Sequence, residues 1–239
     1  MIARLLWLLF LLAPATFAER ISYTVERPLV VGVLLFDGFE MLDVFGPLEM
    51  FSSLDARVRI VTIAAKAGPV HPRNGPAVMA EQSLAEAGAL DLFLIPGGFG
   101  TRGAVNDAVL IAGIKRLSQQ APQVATVCTG AALLARTGLL DGRRATTNKQ
   151  AFQWVVTQGV RTRWVGQARW VEDGKFASSS GVSAGIDLAL ALIEKHFDRA
   201  TAERVARDTE YVWNDHASED PFSDAGQKQV TTSDPRLNY

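Results

Sequence analysis

The sequence predicts a single α/β domain, built on a mostly parallel sheet with helices on both faces. Three observations lead there. Four short apolar runs rich in β-branched residues, at 29–36 (LVVGVLLF), 57–64 (RVRIVTIA), 90–95 (LDLFLI) and 124–127, read as strands covered on both faces. Segments with helical spacing alternate with them. No internal repeat, low-complexity block or linker divides the 239 residues.

In chain order, residues 1–18 (MIARLLWLLFLLAPATFA) stand apart from this pattern. Arg4 gives a basic start, residues 5–12 are uninterrupted apolar residues, and Pro14 precedes the small residues Ala15, Thr16 and Ala18. This is the layout of a secretory signal with cleavage after Ala18. The apolar run is well short of the about 20 residues that a membrane helix needs. The expected location is therefore periplasmic or secreted, with no stable membrane association once the signal is removed. The α/β domain is expected over 19–222.

After the first strand comes DGFEMLDVFGPLEMF, where Gly46 and Pro47 predict a turn leading into a helix, with Pro47 in its first turn. The Gly- and Pro-rich stretch 68–78 reads as a small hairpin insertion. Asn106 can cap a helix over 107–120, on which Leu110, Ile111, Ile114 and Leu117 share a face. Residues 182–197 carry Val182, Ile186, Ala189, Leu190, Ile193 and Phe197 at helical spacing. Asp173-Gly174, between 168–172 and 175–179, has two-residue hairpin chemistry and predicts a second hairpin insertion. Residues 223–239 form a polar tail, expected to be loosely ordered.

Composition excludes several function classes. One cysteine and three histidines cannot build a disulfide scaffold or a Cys-rich zinc module, and no histidine pair has metal-ligand spacing. No metal or other cofactor is expected. A net charge of -1 lacks the basic excess of a nucleic-acid binder.

Ligands of open α/β sheets bind at the carboxyl ends of the strands, which directs attention to three places. Asp43 follows the first strand. Pro96-Gly97-Gly98 follows the third, and its glycines let backbone N–H groups approach a ligand. Cys128, in QVATVCTGAALLA, sits where a strand gives way to a helix of small residues, near the positive end of a helix dipole that favours thiolate. Gly130, Ala131 and Ala132 permit the tight turn of a nucleophile elbow, although Thr126 replaces the first glycine of G-x-[SC]-x-G. In a parallel sheet the three strand ends open on one edge, so a carboxyl, a backbone oxyanion site and a thiol can converge there.

The blocks FDGFEMLDVFGP, LFLIPGG, VCTGAALLARTGLLDGRRATTN, SSGVSAGIDLALALIEKHFD and TAERVARDTEY, spanning about 31–211, resemble the PfpI family. That family lies within the class I glutamine amidotransferase-like superfamily, which includes the parkinsonism-associated protein and isonitrile hydratases. The resemblance implies a flavodoxin-like fold and, commonly, a homodimer. By position it makes Cys128 the nucleophile, Asp43 its acidic neighbour, and Gly97 and Gly98 the turn whose N–H groups face the thiol. Family peptidases have His after the cysteine, whereas Thr129 stands here as in isonitrile hydratases, so proteolysis is disfavoured. The ATTH segment of relatives ends here in Asn148, which can orient a substrate but cannot exchange a proton near neutral pH.

The function expected is a Cys-dependent hydratase or hydrolase of a small electrophilic molecule, working through a thioimidate or thioester-type intermediate. Cys128, Asp43 and Thr129 are its expected catalytic residues. Gly97, Gly98 and Asn148 are expected to bind substrate, with the Gly98 and Thr129 N–H groups receiving negative charge. The alternative is a non-catalytic ligand- or redox-sensing module related to the sensor halves of transcriptional regulators. The 28 residues after Tyr211 are too few for the helix-turn-helix domain such regulators carry.

Overall fold

The computed structural model describes residues 22–223. The signal segment 1–18, its cleavage after Ala18 and all but the first residue of the 223–239 tail lie outside the described residues. The chain runs β1 (Leu29–Leu34), α1 (Met41–Ser52), β2 (Val58–Ala64), β3 (Gly68–Val70), β4 (Val78–Ala80), β5 (Gln82–Ser83), β6 (Leu92–Ile95), α2 (Thr101–Ala104) and α3 (Ala108–Gln120). It continues through β7 (Gln123–Thr126), α4 (Gly130–Arg136), β8 (Arg144–Ala145), α5 (Phe152–Gln158), β9 (Arg163–Trp164), β10 (Trp170–Asp173), β11 (Phe176–Ser179), α6 (Ala184–His196) and α7 (Arg199–Asp208).

Seven strands form one sheet in the order β10-β11-β7-β6-β1-β2-β5, parallel throughout except for the β10–β11 pair. β6, β7 and β11 are buried at every position. Because successive side chains point to opposite faces, such strands are covered on both. α1, α6 and α7 pack together as one helical group, and α4 packs with α2, α3 and α5 as the other. Leu29, Val31, Val33, Leu92, Phe93, Ile95, Val124 and Ala125 are almost wholly removed from water. Each large apolar side chain among them contributes about 1.5–3 kcal/mol.

Four local expectations are corrected. Pro47 is not in the first turn, because α1 already begins at Met41 and carries Asp43, Gly46 and Pro47 inside it. The proline forfeits one intrahelical bond, but Val44, Met50 and Phe51 are buried by continuing the helix. Gly46 also allows α6 close: a Cβ there would lie 2.8 Å from Ile186 Cγ1. The cap of α3 is Asp107, not Asn106; its carboxylate accepts from the N–H groups of Val109 and Leu110 at 2.9 and 3.0 Å. The predicted helix over 182–197 is shorter, Ala184–His196.

The hairpin at 168–179 is no insertion. Its strands are β10 and β11, with Asp173 opposite Phe176, so the two-residue turn is Gly174-Lys175, one residue later than read from sequence. Gly174 supplies the positive φ of 63°, and β11 joins the main sheet beside β7. The 68–78 stretch does form a separate hairpin, β3 with β4.

Beyond Tyr211 the chain folds back onto the domain. Trp213 Nε1 donates to Asp187 O at 3.2 Å, and Asp220 is buried beside Lys149 and Arg169. No helix among the described residues is long and apolar enough to cross a membrane.

Candidate active site

β1, β6 and β7 are parallel neighbours, so the segments after them emerge on one edge of the sheet. The turn after β7 is an elbow. Cys128 has φ 57°, a left-handed conformation that costs a non-glycine residue about 1–3 kcal/mol and persists only where its surroundings impose it. Here Val127 N–H donates to Ile95 O at 3.0 Å, Cys128 N–H to Ser180 O at 3.1 Å, and Thr147 Oγ1 to Cys128 O at 2.7 Å. Gly130 lets the following helix start against β6: a Cβ there would collide with the carbonyl oxygens of Ile95 and Pro96.

Asp43, on the first turn of α1, is fully buried. Gly97 N–H donates to its Oδ2 at 2.9 Å, whereas Oδ1 has no conventional hydrogen-bond partner. Burial pushes the Asp43 carboxyl up to about 8. The Gly97 N–H opposes the rise, and the nearby Glu40 carboxylate adds to it. Near neutral pH Asp43 is therefore mostly a neutral acid.

Cys128 is 5% exposed. Burial, and then the Asp43 carboxyl beside it, raise its pKa well above that of a free cysteine, while the Thr129 N–H and the Asn148 side-chain amide pull in the opposite direction. The expected helix-terminal preference for thiolate is thus overturned. α4 is only seven residues long, and desolvation of the sulfur outweighs it.

The glycine turn also differs from expectation. Gly98 N–H donates to Thr129 Oγ1 at 3.0 Å, and Gly97 N–H is engaged by Asp43. Gly98 N–H is therefore committed and does not face the thiol as an oxyanion donor. The Thr129 hydroxyl also lies 3.2 Å from both Thr101 Oγ1 and Gly98 O, tying the turn to α2. A Cβ at Gly97 would sit 2.5 Å from Thr129 N, so only glycine fits between Asp43 and the elbow. Asn148 Oδ1 accepts from Ala151 N–H at 2.9 Å, leaving its NH2 end to the sulfur.

These groups border a cavity of about 290 Å³ that holds Cys128, Thr129, Gly98 and Asn148 together with Glu40, Arg73, Phe99, Arg102, Gln150 and Val182. Of the residues singled out in the sequence, Cys128, Asp43, Thr129, Gly97, Gly98 and Asn148 do converge. Glu40, Arg73 and Arg102 were missed; Arg73 and Arg102 carry no motif, whereas Glu40 lies inside the FDGFEMLD block and Phe99 directly follows LFLIPGG. His71, His196 and His216 all lie away from the cavity. Among the described residues no group of three His, Cys, Asp or Glu side chains is arranged to hold a metal ion.

A carboxylic acid beside a buried thiol, with two N–H donors toward the sulfur, is suited to adding a thiol across an electrophilic multiple bond with simultaneous proton delivery. The chain is similar to known proteins along most of its length. Over 185 residues the chain is 32% identical to an isonitrile hydratase of Pseudomonas putida, covering 77% of this chain and 79% of that protein. It is likewise 32% identical over 164 residues to the HTH-type transcriptional regulator CdhR of Pseudomonas aeruginosa, covering 67% of this chain and 48% of the regulator. Among solved structures, a ThiJ/PfpI family protein from Pseudomonas syringae superposes with a TM-score of 0.71 at 26% identity, covering 85% of this chain and 86% of that one. The DJ-1/PfpI family model matches residues 30–195. The chain belongs to the DJ-1/PfpI family.

Proposed function

We propose that the protein is a Cys-dependent hydratase of small electrophiles, with isonitriles as the leading substrate class. The observation that carries this reading is the pairing of Cys128 with an Asp43 carboxyl held largely protonated near neutral pH. The Cys128 sulfur forms a bond to the terminal carbon of R–N≡C while Asp43 delivers a proton to that carbon, and the thiol proton restores Asp43. The product is a thioimidate, R–N=CH–S–Cys. Water then adds to the same carbon, the C–S bond breaks, and the sulfur regains a proton as the formamide R–NH–CHO leaves. One water is consumed and no group changes oxidation state. The Thr129 N–H and the Asn148 amide hold the sulfur, and the Thr129 hydroxyl holds the glycine turn over Asp43. The P. putida homologue supports the substrate class.

Turnover of small alkyl isonitriles to formamides, followed by infrared loss of the isonitrile band, tests the reading. It is expected in the parent protein and absent in Cys128→Ala; hydration that survives Cys128→Ala would overturn it. A ligand-sensing module is the second reading, supported by the similarity to CdhR; it predicts saturable binding without turnover. The raised thiol pKa disfavours its redox version, since oxidant sensing needs thiolate. We place the protein outside the cytoplasm on the strength of residues 1–18, and expect it to work as a homodimer.

A further inference from the structure

We infer that Asp220, carried on the irregular segment 211–223, is a positioning residue for the thiol: it anchors Lys149 and, through the adjoining Asn148, fixes the amide that meets the Cys128 sulfur. The inference does not need the hydratase reading, because it concerns how the sulfur is held, whatever it attacks.

The segment is pinned along its length. The Tyr211 hydroxyl and Asn214 N–H both donate to Asp187 Oδ1, at 2.9 and 3.0 Å. The N–H groups of Arg169 and Trp170 donate to Ala217 O at 2.8 and 3.2 Å, where β10 forms the edge of the sheet. Asp220 N–H donates to Gln167 O at 3.0 Å. These bonds carry the Asp220 carboxylate inward, to 3.6 Å from Lys149 Nζ and 3.7 Å from Arg169 Nη1.

Four charges meet there out of water. The side chains of Lys149 and Arg169 are 3% and 6% exposed, and those of Asp187 and Asp220 are fully covered. Arg169 is matched by Asp187 at 2.7 Å. Without Asp220 the cluster would hold two cations against one anion, the state that burial penalises most. Burial already lowers Lys149 to about 8; Asp220 opposes that fall and Arg169 adds to it.

Lys149 ends a short segment whose side chains turn to the elbow and its support. Lys149 Nζ donates to Thr146 Oγ1 and Ala168 O at 2.8 and 2.7 Å, Thr147 Oγ1 donates to Cys128 O at 2.7 Å, and the Asn148 amide faces the sulfur. A Cβ on Gly181 would collide with both that amide and the sulfur. The amide therefore reaches the sulfur through a narrow space, and a small shift of the segment breaks the contact. Asp220 holds the segment at the Lys149 end.

The test is a double-mutant cycle in the full chain, read by iodoacetamide labelling of Cys128 at pH 7, where Lys149 still carries most of its charge. The reagent forms an S–C bond and releases iodide while the thiol proton passes to water, and with one cysteine in the chain the rate belongs to Cys128. Thiolate is the reacting form, so a lost hydrogen bond to the sulfur lowers the rate. Asp220→Asn, whose amide oxygen can still accept from Phe222 N–H, should slow labelling at least about threefold. The same substitution in an Asn148→Ala background should change nothing. A through-space effect of either charge, or a general loosening of the fold, would act in both backgrounds. An unchanged rate, a faster one, or equal slowing with and without Asn148 overturns the proposal.

Lys149→Met breaks the same contact from the other side and should reproduce the slowing and its dependence on Asn148, which keeps the test open if Asp220→Asn does not fold. Where the parent labels too slowly to time, the Asn148 side-chain amide resonance, assigned by its loss in Asn148→Ala, replaces the rate. It should move in Asp220→Asn; an unmoved resonance overturns the proposal. Neither readout needs turnover, so a protein that hydrates no isonitrile would refute the hydratase reading and leave this one to stand or fall on its own result.

Discussion

Replacing Asp43 by Asn should make the protein more stable and inactive at once. The ordinary carboxyl value for Asp43 is 3.8 and the native value is about 8. Between those limits the native state holds a proton that the unfolded chain has lost, so stability falls as pH rises through that window. At pH 7, about three units above the unfolded value, the native state is disfavoured by about 4 kcal/mol at 1.36 kcal/mol per unit. Asn carries no charge to lose, and its amide oxygen can still accept from Gly97 N–H. Thermal unfolding followed by circular dichroism at pH 4, 5.5, 7 and 8.5 reads the difference. The variant should gain little at pH 4 and roughly 10 °C in Tm by pH 7. A variant no more stable than the parent at pH 7, or a difference that stays flat from pH 4 to 8, would refute the assignment of Asp43 as a buried neutral acid.

Other outcomes follow from the same geometry. Iodoacetamide labelling of Cys128 should accelerate only above the usual thiol range, with its midpoint moved down in Asp43→Asn because the neighbouring carboxylate is gone; a parent midpoint below pH 8 would contradict this. Asn148→Ala should slow labelling at fixed pH and cost about 1 kcal/mol through the lost bond to Ala151 N–H, read by urea unfolding. Asp187→Ala breaks the buried pair with Arg169, which keeps the Asp220 carboxylate at 3.7 Å, and removes the acceptor of the Tyr211 hydroxyl at 2.9 Å; it should cost about 3 kcal/mol in the same measurement.

The strands were legible because each is a short run rich in apolar residues; β1, β6 and β7 are buried at nearly every position, whereas β2, expected to be covered on both faces, is covered only in part and exposes Arg59, and β1, β2, β6 and β7 appear within one or two residues of their sequence limits. Cys128 was legible for a related reason: small residues after a strand permit an elbow, and Gly130 is needed there against β6. Features decided by tertiary surroundings were not. Asn106 and Asp107 are equally good caps in sequence, and only the helix axis selects the second. Gly46-Pro47 reads as a turn until α6 is seen packed against it. The thiol looked activated by position, yet it is buried, and burial cannot be read from a strand-to-helix junction. Gly98 N–H looked available because sequence does not show the Thr129 hydroxyl turned toward it. Arg73 and Arg102 carry no motif and reach the cavity only through the paths of their connecting segments.

The central claim is that the Cys128 sulfur bonds to the substrate carbon. Intact-mass spectrometry of protein quenched in acid during turnover of a small isonitrile tests it most directly. The account predicts a species heavier by one substrate mass, located at Cys128 by peptide mapping and absent in Cys128→Ala. Formamide production with no such species, continuing undiminished in Cys128→Ala, would contradict it.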